Sequence, residues 1–255
     1  MLWLKEWWYE RIVQRSPITE TEWQEAFQYL PLLTRLSEDE KARLKRLTIL
    51  FLHYKSLETI GEFELTTTMR LIIALQACLI ILNLGLHWYN GWVSVIVYPG
   101  AFSRQSKEVD EYGVEHQDRA NLSGESWLRG PVILSWDDVF HLGEVDGRNV
   151  VIHEFAHKLD MLNGRANGFP PLHQGMSIKQ WTEVFSHAYA DFKQRVEERD
   201  FIPIDQYAVE SPGEFFAVLS EFFFENPVTI KQYYPKVYEL LVMFYRQDPI
   251  VSRLG

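Results

Sequence analysis

The sequence predicts an α+β fold, mostly helical, with a small mixed β-sheet. Three observations predict it. Capped stretches of helical period fill the chain up to Tyr54. Two short runs rich in β-branched and aromatic residues, Trp92–Tyr98 (WVSVIVY) and Pro131–Trp136 (PVILSW), read as strands. Finally, Asn149–Gly164 (NVVIHEFAHKLDMLNG) sets a polar trio inside an apolar helical frame that stops at Asn163-Gly164.

Residues 3–15 suit a short amphipathic helix with Trp3, Trp7, Trp8 and Ile12 near one face, ending before Ser16-Pro17. Core packing is the expected fate of that aromatic stripe. Thr19 opens T-E-T-E and Ser37 opens S-E-D-E, each a hydroxyl N-cap with an acid placed to return the hydrogen bond. The helices they start run through Tyr29 and toward Tyr54. Residues 62–65 read as irregular or extended, and Thr66–Leu86 as a long apolar helix. Its apolar run from Leu71 is short for a membrane span and holds Gln76 and Asn83, so it reads as a core helix.

The strand at Trp92–Tyr98 stops at the turn formers Pro99-Gly100. Residues 103–127 are polar without a clear period, and Glu111–His116 fits either a hairpin or a surface loop. After the second strand, Asp137 or Asp138 is expected to cap a short helix before a turn at Asp146-Gly147. Gly168–Gly175 is loop-like, Trp181–Arg199 helical, and residues 207–227 (YAVESPGEFFAVLSEFFFENP) form a helix dense in Phe. Residues 1–65 are read as a helical N-terminal layer on a body of residues 66–255; no Pro/Gly/Ser linker divides them.

A 255-residue chain that is 47% hydrophobic and 24% charged can bury a full core. Its net charge of -10 argues against direct nucleic-acid binding, which needs a concentrated basic surface, and favours a peptide or protein partner. The single cysteine, Cys78, excludes an internal disulfide and sits in an apolar run, as a buried thiol does. The N-terminal residues lack an uninterrupted apolar region and a small-residue cleavage site. The expected location is therefore the cytoplasm, without membrane attachment.

His153, Glu154 and His157 form H-E-x-x-H. On a helix the two imidazoles stand one turn apart on one face and can take one tetrahedral Zn2+ per chain. Glu154, one position round, can reach an attacking water without being a ligand, which suits metal-assisted hydrolysis. The competing reading is a buried helix whose histidines are satisfied by hydrogen bonds alone. A catalytic zinc normally takes a third protein ligand. His173, His187, Glu210, Glu214, Glu221 and Glu225 all lie downstream, and the Phe-rich helix with its acids is the better source. Ser211-Pro212-Gly213-Glu214 is also a capping box, so Glu214 could simply hold its helix start. Asp160 could accept a hydrogen bond from a ligand imidazole, as zinc-bound histidines require, or point to water.

HEFAHKLD, together with Tyr207 and GEFFA (Gly213–Ala217), resembles the catalytic domain of anthrax lethal factor. Over nearly its full length, including WVSVIVYPGAF and GPVILSW, the chain is similar to the bacterial Mlc titration factor A family. The resemblance implies a zincin-like, gluzincin-type catalytic domain. In metallopeptidases of this kind the strand beside the H-E-x-x-H helix is often a sheet edge open to an extended peptide; the alternative reading of residues 131–136 is an interior strand with no substrate role. It makes His153, His157 and Glu214 the zinc ligands, Glu154 the general base and Tyr207 the phenol that stabilises the oxyanion. One turn after Glu214 the lethal-factor pattern has a further acid where this chain has Val218. Two activities are implied: aminopeptidase-like hydrolysis, and binding of the repressor Mlc that holds it from DNA and so regulates glucose phosphotransferase expression. The alternative is a non-catalytic protein-binding module with a structural or vestigial zinc site.

Overall fold

A computed structural model of the protein describes residues 2–100, 130–140 and 147–251. Residues 103–127, with the expected hairpin or loop at 111–116, lie outside the described residues, as does Asp146. Helix α1 (Leu2–Gln14) packs on α3 (Glu38–Tyr54). Helices α2 (Glu20–Gln28) and α3 start at complete capping boxes: Thr19 and Ser37 each accept an N–H from Glu22 and Glu40, whose carboxylates bond back to the cap. The aromatic stripe of α1 does not enter the core. Trp3 is 76% exposed, and Trp7 and Trp8 are 49% exposed. The helix packs on α3, where Glu6 and Glu10 pair with Arg46, and its tryptophans are left outward.

Strand β1 (Ser56–Thr59) follows α3 at once, and α4 (Thr67–Ile80) then crosses to β2 (Ser94–Tyr98). The strand order is β1-β2-β3, with β3 at Val132–Ser135. Both pairings are parallel, Ser56 opposite Ser94 and Val95 opposite Val132. The expectation of a mixed sheet is thus not met among the described residues. Parallel neighbours require long crossovers, and α4 lies in the one between β1 and β2. Helix α4 is buried from Leu71 to Ile80 and ends there, short of the expected Leu86, in a turn through Gly85. Among the described residues no helix is long and apolar enough to cross a membrane.

β3 runs directly into α5 (Trp136–Phe140), whose cap is Ser135 rather than Asp137 or Asp138: Ser135 Oγ accepts the Asp138 N–H at 3.2 Å. Helix α6 (Val150–Asp160) packs against β3, α4 and α8 (Pro212–Glu225). Helix α7 (Ile178–Glu198) and the short C-terminal helices α9 (Pro227–Tyr233) and α10 (Pro235–Tyr245) close the far side, the last two each opened by a proline at a first helical position. One contiguous core joins residues from α2 to α10 and is dense in rings, with Trp181 stacked on Phe185 at 4.3 Å.

Candidate metal centre

Helix α6 sends Val151, Ile152, Phe155, Ala156 and Leu159 into the core, which fixes its rotation and turns His153 and His157 together toward α8. Asn149 caps it, its Oδ1 accepting the Ile152 N–H at 2.9 Å. Helix α8 starts at Ser211, whose Oγ accepts the Glu214 N–H at 3.1 Å, with Pro212 at its first position. The backbone of Glu214 is therefore capped, while its carboxylate reaches across to α6.

Glu214 Oε2 lies 3.0 Å from His153 Nε2 and 3.2 Å from His157 Nε2, and the two Nε2 atoms are 3.2 Å apart. Two ring nitrogens and a carboxylate oxygen thus point at one place. A tetrahedral zinc with bonds near 2.0–2.1 Å holds its ligand atoms roughly 3.3 Å apart. The triangle is within a few tenths of an ångström of that, so the donor set fits a zinc ion in both chemistry and size. Burial alone would hold the His153 pKa down, but Glu221 and Glu214 outweigh it and raise it to about 10. Burial would likewise raise Glu214, yet the hydrogen bonds from His153 and His157 hold it well below the usual carboxylate range.

Residues 4–246 match the model of a family described as glucose-regulated metallo-peptidase M90. The chain belongs to that family. It is also 37% identical, over 248 residues, to proteins called Mlc titration factor A from Shigella dysenteriae serotype 1, Escherichia coli and Shigella sonnei, covering 95% of this chain and 92% of each relative. Membership in a metallopeptidase family implies a metal ion, and the His153, His157 and Glu214 cluster could hold it.

In this M90 chain Glu154 sits half-buried beside His153 on α6. The ring centroid of Tyr207 is 6.1 Å from that of His153. Tyr207 belongs to a 3-10 turn, Gln206–Val209, whose start is capped by Asp205 Oδ1 on the Tyr207 N–H at 3.0 Å and whose end is held by Tyr189 Oη on the Val209 carbonyl at 2.7 Å. Asp160 is the last residue of α6. Both its oxygens accept backbone N–H groups, from Gly168 at 2.7 Å and Phe169 at 2.8 Å, because the chain folds back over the end of α6 there. Among the described residues His157 Nδ1, though buried, has no hydrogen-bond partner. The far side of the His153 ring is met by Glu221, one of the downstream acids that the sequence offers as a third ligand. Its Oε1 lies 2.7 Å from His153 Nδ1, the nitrogen facing away from the cluster. Its place two turns after Glu214 on one helix face was the available signal. His173 bonds the Phe244 carbonyl at 2.8 Å, and His187 and Glu210 are exposed, so none of these joins the trio.

Proposed function

We propose that this chain is a zinc-dependent peptidase, acting in the cytoplasm on short or unfolded peptides in an aminopeptidase-like manner. The observation that carries the reading is the convergence of His153 Nε2, His157 Nε2 and Glu214 Oε2 within 3.2 Å of one another, beside the acid of H-E-x-x-H. When bound, zinc supplies Lewis acidity that polarises the scissile carbonyl and acidifies water. Glu154 takes the proton from the attacking water and hands it to the leaving amine. Tyr207 donates its phenolic O–H to the oxyanion, from a turn fixed at both ends. β3, last in the described strand order and packed on α6, is the strand along which an extended substrate backbone is read as pairing. Residues 1–65 are read as a helical layer on the catalytic body.

The test is Glu154→Gln in zinc-loaded protein assayed on short peptides. Zinc retained with hydrolysis lowered at least about 100-fold is expected; unchanged hydrolysis removes the mechanism.

A second reading follows from the relatives, whose name describes titration of Mlc. Under it this chain binds the Mlc repressor, with or without cleaving it, and a vestigial zinc site would suffice. A pull-down with purified Mlc decides: no complex with wild type or Glu154→Gln excludes it, and a complex with an inert enzyme favours the non-catalytic form.

A further inference from the structure

Glu221 is joined to the start of α6 as well as to His153. Its Oε2 accepts the backbone N–H of Asn149 at 2.5 Å, while Oε1 faces His153 Nδ1 at 2.7 Å. Asn149 in turn donates from Nδ2 to Gln76 Oε1 on α4 and to Glu225 Oε1 on α8, both at 2.7 Å. Gln76 Nε2 closes the ladder on the Ile72 carbonyl at 2.9 Å. All four side chains, Gln76, Asn149, Glu221 and Glu225, are buried, so the ladder is fixed by the cost of leaving any member unpaired.

Both oxygens of Glu221 accept, so His153 Nδ1 must donate. That sets the tautomer the ring takes when it is neutral, as a metal ligand must be: Nδ1 keeps its hydrogen and the lone pair falls on Nε2, the atom facing Glu214 and His157. The same carboxylate ties the cap of α6 to α8, the helix that carries Glu214. One side chain therefore orients a ligand ring and holds the two ligand-bearing helices in register. No equivalent group meets His157 Nδ1 among the described residues.

We propose that Glu221 is a positioning residue that makes His153 the anchoring ligand of the metal site. The inference rests on the reading of His153, His157 and Glu214 as a zinc site. Removing a carboxylate that orients a zinc-bound imidazole typically weakens metal binding about 10- to 100-fold.

The experiment is zinc affinity of the folded protein, by competition with a chromophoric chelator, for wild type, Glu221→Gln and Glu225→Gln. Glu225 belongs to the same buried ladder, where its Oε1 accepts from Asn149 Nδ2 at 2.7 Å. Glu221→Gln is expected to bind zinc about 10- to 100-fold more weakly, and Glu225→Gln within about threefold of wild type. Wild-type affinity in Glu221→Gln overturns the inference and leaves the zinc site standing. Equal weakening in both variants also overturns it, since the ladder alone then sets affinity. Wild type that takes no zinc overturns the site and the inference together. Should Glu221→Gln fail to fold, zinc-loaded wild type still decides by NMR: a slowly exchanging, downfield His153 Nδ1–H resonance is expected, and fast exchange of that proton contradicts the assignment.

Discussion

Glu214 shows how one residue serves two ends: its N–H completes the cap from Ser211 while its carboxylate crosses to the histidines. A capping box and a metal ligand look alike in sequence, and only the direction of the side chain separates them. Tyr207 sits in a turn whose backbone is held by Asp205 at one end and by Tyr189 at the other. Tyr207→Phe is expected to keep zinc and fold while lowering kcat about 100- to 1,000-fold with little change in KM, as steady-state kinetics with metal analysis would show. Loss of zinc in that variant would mean that the ring is needed for the site's structure instead.

At the scale of elements, the site depends on a close approach between the chain after α6 and the start of α8. Gly168 has φ +76, and a Cβ there would stand 2.5 Å from the Pro212 carbonyl oxygen. Gly168→Ala is therefore expected to cost about 2–3 kcal/mol in chemical denaturation and to displace the first turn of α8, lowering zinc affinity with it. Undiminished stability would show that this approach is soft. Elements with local signals were readable in the sequence: the two capping boxes, the strands at Trp92–Tyr98 and Pro131–Trp136, and the H-E-x-x-H helix. β1 was not, because Ser56–Thr59 is short, polar at three of its four positions and joined to a helix without a break. The parallel pairing was not either, since pairing direction is set by crossovers rather than by strand residues. His153 and His157 lie on one helix and Glu214 on another, more than fifty residues later in the sequence. The tie between them, through Asn149 and Glu221, is a tertiary contact with no local pattern. The partners of Asp160 were hidden for the same reason: the amides of Gly168 and Phe169 arrive only when the loop folds back.

Over the whole molecule, the ring-rich core is dry enough to shift the groups it encloses. Burial pushes the Cys78 thiol well above its ordinary range, which makes it an inert packing residue. Lys55 is buried against the ring of Trp92, its Nζ donating to the carbonyls of Tyr89 and Trp92, and burial lowers its pKa from 10.5 to about 8. Between those two values the unfolded chain keeps a proton that the folded chain has released, so folding becomes more favourable as pH rises. Denaturation of wild type against Lys55→Met is expected to show the wild type gaining, by up to about 1.4 kcal/mol per pH unit, between pH 8 and 10.5. A flat difference would mean that the carbonyls hold the ammonium charged. The most direct test of the metal site is zinc content by elemental analysis, comparing wild type with Glu214→Ala after identical loading and dialysis. About one zinc per chain in wild type and little or none in the variant is the expected result; equal zinc in both would contradict the assignment of Glu214 and with it the site described for this chain.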